Sequence, residues 1–183
     1  MTPKLLILDK DNTLVRPASG QRYVQGPTDQ ELIPGVAEAL TAYRDAGWAT
    51  AIASNQAGIA ARYKTLDDTI REMHFAMQLT GIETAMFAPS YEENGGEAYL
   101  LEIVGDELRA KLIETKLSKF RKPEPGMLDT LAFRHFQHND YDESDALYAG
   151  DRDEDREAAA RAGVNFLWAH DWLTSSPAAL AIL

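Results

Sequence analysis

No cysteine occurs in this chain, which removes disulfides, thiolate metal sites and cysteine nucleophiles together and suits a reducing compartment. Positive charge is in short supply: 18 Lys and Arg against 29 Asp and Glu leave a net charge of -11. The average surface therefore repels polyanions, and a phosphorylated ligand must be drawn in by a local positive cluster or a metal. Long apolar runs are missing as well. Leu5-Leu6-Ile7-Leu8 is too short for a secretory h-region, and nothing elsewhere approaches a membrane span. Together these absences predict a soluble cytoplasmic protein with no membrane partner and no redox chemistry, for which nucleic acid is not the default ligand.

What is present is an ordinary globular composition, 45% hydrophobic and 26% charged, in 183 residues. A chain of this size forms one domain and buries about 70% of its unfolded surface; residues 1–183 are read as a single domain. Leu5 to Leu8 is the pattern of a parallel strand buried on both faces. Pro34-Gly35 opens a helix closed by Gly47, and Trp48 to Ala53 follows as a second strand. Thr65 with Asp68 resembles a capping box for a helix that ends at Gly81, and Thr84 to Ala88 is a third strand. Pro89 to Arg121 breaks the rhythm and reads as an insertion: a turn-rich segment, then a helix through Leu100, Ile103, Val104, Leu108 and Leu112. Another helix runs through Met127, Leu128, Leu131 and Phe136, a fourth strand spans Ala146 to Ala149, a helix spans Glu154 to Ala162, and a fifth strand spans Val164 to Ala169. The alternation predicts an α/β, three-layer Rossmann-like fold with a mostly parallel five-stranded sheet. In such a sheet, functional groups gather at the carboxyl ends of the strands.

Three of those strand ends carry reactive or phosphate-binding residue types: Asp9 and Asp11, Ser54 and Asn55, and Gly150-Asp151. Lys122 lies just before the helix leading to the fourth strand, within reach of the same edge. Each feature has a bland alternative. Asp9-x-Asp11-x-Thr13 can be a pair of turn aspartates, Ser54-Asn55 a helix cap, Lys122 a surface lysine, and Asp151 to Asp155 an acidic helix start favoured by the helix dipole. Their ordered occurrence at successive strand ends favours a shared site.

The set Asp9-Lys10-Asp11-Asn12-Thr13, Ser54-Asn55-Gln56, Lys122-Pro123 and Gly150-Asp151-Arg152-Asp153-Glu154-Asp155 resembles the four motifs of the haloacid-dehalogenase superfamily, across nearly the whole chain. Ala53 to Ile59 and Arg121 to Met127 resemble the subclass that includes heptose-bisphosphate and histidinol-phosphate phosphatases and polynucleotide 3'-phosphatase domains. The resemblance implies a Mg2+-dependent phosphomonoesterase with Asp9 as nucleophile and Asp11 as acid and base. It further implies that Ser54, Asn55 and Lys122 bind the phosphoryl group, that Arg121 grips a second anionic group, that Asp9, Asp11 and Asp151 hold the metal, and that Asp155 orients metal-bound water.

The chemistry is consistent with those assignments. Hard carboxylate oxygens suit Mg2+, which keeps several waters and bridges to substrate phosphate. Three carboxylates and a phosphate dianion outweigh the charges of Mg2+ and Lys122, which favours a proton on Asp11, the proton the leaving oxygen needs. Asn12 stands where many relatives have glycine, and asparagine is among the few residues that tolerate a left-handed backbone. The insertion contains neither cysteine nor histidine, so the zinc loop of several relatives is not expected here. Its length allows a helix and loops in place of a large cap, leaving the site open, or covered by this element or a second subunit. Arg121 can equally be a solvent-facing loop residue, and Arg152 a phosphate contact or a partner for Asp153 or Asp155. His135, His138 and His170 lie outside the motifs and read as structural or surface groups; Trp168 and Trp172 read as packing for the last strand.

A phosphotransferase or mutase could use the same two aspartates if water were kept from the intermediate, and a catalytically silent phosphate- or Mg2+-binding module stays open as a third class. The acidic balance favours a small phosphorylated metabolite, with a polynucleotide end as the alternative. Arg16, Arg22, Arg62, Lys64, Lys111, Lys116, Lys119 and Arg121 could form a basic rim for such an end.

Overall fold

The computed structural model describes residues 4–91, 96–115, 119–136 and 145–177. Five parallel strands lie where the apolar runs predict them: β1 (Lys4–Leu8), β4 (Trp48–Asn55), β5 (Thr84–Ala88), β8 (Ala146–Gly150) and β9 (Asn165–Trp168). A short antiparallel pair, β2 (Val15–Arg16) and β3 (Glu31–Leu32), brackets the segment between them. The main sheet has seven strands, not five, because the insertion adds β6 (Glu97–Val104) and β7 (Glu107–Glu114) to give the order β7-β6-β5-β4-β1-β8-β9.

The expected helix through Leu100 to Leu112 is thus a β-hairpin. Leu100, Ile103, Val104 and Leu108 satisfy a helical stripe, but the chain reverses at Gly105 (φ 64) and Asp106, a two-residue turn of the kind that joins antiparallel strands. Tyr99 stacks on Phe87 across the new pairing, with ring centroids 5.1 Å apart. The outer strand β7 carries Arg109 and Lys111 and is largely exposed, a charged edge that discourages further pairing. Phe87 faces Tyr99 and Thr84 faces Glu102. The hairpin therefore starts at the carboxyl edge of the parallel strands and turns at their amino edge, so its tip cannot cover Asp9.

Alternation along the central strands separates two cores. Leu6, Leu8, Ile52 and Leu147 face α1 (Val36–Asp45), α2 (Leu66–Thr80) and α5 (Ala169–Thr174), whereas Leu5, Ile7, Ala53 and Tyr148 face α3 (Gly126–Phe136) and α4 (Asp153–Ala162). Thr65 caps α2 by accepting from the Asp68 amide at 3.0 Å, as its spacing with Asp68 predicts. The short α5 had no counterpart among the predicted elements; it is fixed by the fully buried Trp172, which packs on Tyr43. The chain runs from β1 outward through β4 and β5, then returns to β8 on the other side of β1. That reversal opens a crevice beyond the carboxyl end of β1, the position where open α/β sheets bind ligands. No described helix is long and apolar enough to cross a membrane.

Candidate active site

Asp9 leaves the end of β1 with its amide donating to Ala149 O at 2.9 Å, which pins the nucleophile candidate between β1 and β8. Its carboxylate accepts from Lys122 Nζ at 2.6 Å. The same ammonium, only 2% exposed, reaches Ala53 O at 3.0 Å, the Tyr148 hydroxyl at 2.8 Å and Asp155 Oδ1 at 2.6 Å. Asp155 is itself held by the Tyr148 hydroxyl at 2.7 Å and by the Arg152 amide at 3.0 Å. Gly150 permits this: a Cβ there would lie 2.5 Å from the Asp155 carboxyl group. Burial pushes Asp9 up to about 7, against the pull of Lys122 and with the help of the neighbouring Asp155 and Asp11 carboxylates.

Asp9, Asp151 and Asp155 each offer an oxygen within 4.8 Å of the other two. Asp151 Oδ1 is buried with no hydrogen-bond partner, an orphan acceptor in a region already short of positive charge. Orphaned and excess carboxylate oxygen is the donor set a hard divalent cation requires, so these residues fit Mg2+. The group differs from the expected one. The Asp11 carboxylate does not join it: Oδ1 accepts from Lys10 Nζ at 2.7 Å and Oδ2 from Gln56 Nε2 at 3.0 Å.

That pairing also revises the charge count behind a proton on Asp11. Burial raises its carboxyl, but Lys10, then Lys64 and Gln56, outweigh it and hold the group below the usual carboxylate range. The sequence count included Lys122 and overlooked Lys10, whose side chain turns inward and is 0% exposed. Asn12, immediately after Asp11, has φ 61, the left-handed turn its identity allows.

Ser54 Oγ is buried and accepts from Gln56 Nε2 at 2.8 Å, which leaves its own proton free to donate. Asn55 is placed differently from a phosphate ligand. Its side chain clamps the Lys122 backbone reciprocally, Nδ2 to Lys122 O and Lys122 N to Oδ1, both at 3.0 Å, so it carries the loop that delivers the ammonium. Arg121 donates to Ser90 O at 3.0 Å and lies over the Tyr91 ring at 5.9 Å. Arg152 pairs with Glu154 at 3.7 Å. Trp172 is buried and His170 exposed, as read from the sequence, while His138 lies outside the described residues. Tyr148, Gln56 and Lys10 were missed as functional groups, although Gln56 and Lys10 stand inside the quoted motifs.

A cleft of about 900 Å³ opens beside Asp11, walled by the segment from Arg22 to Pro27, by Tyr63 and Lys64, and by Tyr91 and Arg152. Of the expected basic rim only Arg22 and Lys64 reach it; Arg16 is paired with Glu31 and Lys111 sits on the far hairpin, while Lys116 lies outside the described residues.

The sequence profile of the family described as polynucleotide kinase 3 phosphatase matches residues 4–171. The chain belongs to that family. It is a phosphatase resembling the heptose-bisphosphate phosphatases. The D-glycero-beta-D-manno-heptose-1,7-bisphosphate 7-phosphatase of Pseudomonas putida is 32% identical over 160 residues, 87% of this chain and 78% of that protein. The D-glycero-D-manno-heptose-1,7-bisphosphate 7-phosphatase of Thermosynechococcus vestitus is 30% identical over 164 residues, 86% of this chain and 74% of its own. Among solved structures, the phosphatase shares its fold with the D,D-heptose 1.7-bisphosphate phosphatase of B. bronchiseptica complexed with magnesium and phosphate, at TM-score 0.64 and 23% identity, over 89% of this chain and 78% of that one.

Proposed function

We propose that this phosphatase hydrolyses the phosphate ester of a small phosphorylated sugar through an aspartyl-phosphate on Asp9, with Mg2+ held by Asp9, Asp151 and Asp155. The observation that carries the reading is the orphaned Asp151 Oδ1 beside an Asp9 carboxylate fixed by Lys122. Bound there, Mg2+ supplies positive charge to the transferring phosphoryl oxygens. The chain's own groups do the rest. An Asp9 oxygen attacks phosphorus in line while Lys122 and the Ser54 hydroxyl draw charge from the equatorial oxygens. The bond to the leaving oxygen breaks as that oxygen takes a proton from Asp11. An arriving phosphate dianion opposes the pull of Lys10 and Gln56, so Asp11 takes up its proton as substrate binds. Water then attacks the aspartyl-phosphate and returns a proton to Asp11, releasing phosphate and restoring Asp9.

The heptose-bisphosphate relatives support a sugar bisphosphate as the first substrate to try. Charge supports a small one: the acidic chain brings few free cations to the cleft, and Lys64 is already paired with Glu72. A polynucleotide 3'-phosphatase is the second reading, favoured by the cleft residues Tyr23, Tyr63 and Tyr91, each more than half exposed and able to stack bases.

Phosphate release from a panel of sugar phosphates and bisphosphates, beside a 3'-phosphorylated oligonucleotide, tests both. The expected result is a kcat/KM for the best sugar at least about tenfold above the oligonucleotide at physiological salt. Activity should disappear with EDTA and return with Mg2+ alone, and the purified protein should carry no stoichiometric zinc. An oligonucleotide that wins, with a rate falling steeply in added salt, would establish the second reading instead.

A further inference from the structure

The catalytic loop contains a second buried lysine that the mechanism above does not use. Lys10 is 0% exposed, and its ammonium meets three acceptors: Asp11 Oδ1 at 2.7 Å, Glu72 Oε1 at 2.7 Å and Gln30 Oε1 at 3.4 Å. That number satisfies all three of its protons. Glu72 comes from the middle of α2 and is 2% exposed; its other oxygen takes Lys64 Nζ from the cleft wall. Gln30 is anchored in turn, donating to Glu72 O at 3.0 Å and Pro27 O at 2.8 Å.

Four charges of alternating sign, Lys64, Glu72, Lys10 and Asp11, therefore run from the cleft wall to the proposed proton donor. For stability alone such a chain has no advantage, since well-packed apolar residues serve a core at least as well as buried ion pairs. What it does have is geometry. With Lys10 on Oδ1 and Gln56 on Oδ2, both Asp11 oxygens are held although the carboxylate is 42% exposed. Proton transfer to a leaving oxygen demands that the carboxyl sit within hydrogen-bond reach of it, and a displacement of about 1 Å can cost two orders of magnitude in rate.

We propose that Glu72 is a positioning residue for Asp11: acting through Lys10, it fixes the carboxylate where the leaving oxygen of a phosphate ester will stand. The inference rests on the reading of Asp11 as proton donor. Its consequence is selective. An alkyl phosphate expels a strongly basic oxygen and needs the proton, whereas 2,4-dinitrophenyl phosphate expels a weakly basic one and hardly needs it. Loss of positioning should therefore damage the first substrate and spare the second. kcat/KM is the correct readout, because it reports the steps up to the first irreversible one and excludes later hydrolysis of the aspartyl-phosphate.

The experiment compares kcat/KM for an alkyl phosphate and for 2,4-dinitrophenyl phosphate, with Mg2+, in the wild type, Glu72→Gln, the paired replacement Lys10→Met with Glu72→Leu, and Asp11→Asn. The paired replacement removes both charges at once, so a fold that cannot tolerate half a network does not end the test. In Glu72→Gln the alkyl kcat/KM should fall at least about tenfold, with the aryl value within about threefold. The paired variant should show the same selectivity. Equal losses on both substrates, or none, in the two folded variants would overturn the inference if Asp11→Asn still discriminates between the substrates. If Asp11→Asn itself fails to discriminate, Asp11 is not the proton donor, and it is the reading of the mechanism that falls.

Discussion

Two buried lysines stand on opposite sides of the Asp9–Asp11 loop, and their surroundings differ in one respect that decides what each side can do. Lys122, toward α3 and α4, faces Asp9 and Asp155, with Asp151 completing a cluster of three carboxylates around one ammonium. Lys10, toward α2, shares Asp11 and Glu72 with Lys64, two carboxylates for two ammoniums. The first half is electrostatically incomplete and calls for a cation. The second is complete in itself. On the proposed mechanism the two halves divide the work: one would bind metal and phosphate, and the other would hold a proton donor steady while they come and go.

The largest effect should come from the incomplete half. Asp9→Asn replaces the proposed nucleophile by an amide, and kcat should fall by at least about 10³-fold. Because Lys122 keeps Asp155, Tyr148 and Ala53 O as partners, thermal unfolding should show an intact fold. Turnover within about tenfold of wild type would remove Asp9 from the mechanism.

Stability sharpens the contrast. Lys122→Met leaves two buried carboxylates facing each other and should cost about 3–5 kcal/mol in denaturant unfolding without Mg2+. Lys10→Met should cost less, about 1–3 kcal/mol, since Glu72 keeps Lys64 and Asp11 can turn to water. Equal losses would mean that the two networks are equivalent as structure.

The pH response should separate the halves again. Asp9 is raised from 3.8 to about 7 by burial, so its protonated form favours the folded chain. That contribution is fully present below pH 3.8 and is lost as pH rises through about 7. Without metal, Tm should therefore fall between pH 3.8 and about 7 and level off above, and the increment in Tm given by Mg2+ should be larger at pH 8 than at pH 6, as metal binding replaces the proton. Asp11 is shifted the other way: held below its usual range chiefly by Lys10 over the opposing burial, it contributes stability that is lost only as pH falls into the acid range. It adds no slope between pH 6 and 8. Asp9→Asn should abolish the pH dependence of the Mg2+ increment; if that dependence persists, the titrating group lies elsewhere.

The two halves were not equally legible in the sequence. Asp9, Ser54 and Asp151 could be placed because each ends or follows an apolar strand run, and Lys122 because it precedes the helix that leads into the fourth strand; the five parallel strands fell within two residues of their predicted ends. Glu72 could not, because its partner Lys10 lies 62 residues away and pairing across that distance leaves no local periodicity. A signal did exist. Thr69, Glu72, Met73, Ala76 and Thr80 form the buried stripe of α2, and an acid on a buried stripe demands a cation. Asn55 looked like a phosphate ligand because it adjoins Ser54, whereas on alternating strand positions its side chain leaves in another direction and takes the Lys122 backbone. The hairpin was misread because its apolar residues suit both periods, and only Gly105-Asp106 distinguished them.

The smallest expected effect tests the link between the halves. Asn12 occupies a left-handed turn at φ 61 immediately after Asp11, and its side chain hydrogen-bonds to Asp151 on the opposite side. Asn12→Gly keeps the backbone conformation without strain and loses only that bond, whereas Asn12→Ala loses the bond and must also place a Cβ where L-residues resist it. Without metal, the alanine variant should be the less stable by about 1 kcal/mol in denaturant unfolding. The glycine variant should stay close to wild type, because the more flexible unfolded chain and the lost bond are its only costs. If the two variants are equally stable, the turn relaxes when asked to, and Asp11 is not held in fixed relation to Asp151 by the turn that follows it. The proposed separation of a metal-binding half from a proton-holding half would then depend on Lys122 and Lys10, and Lys10→Met should lower kcat/KM for an alkyl phosphate further in the Asn12→Ala background than in the wild type.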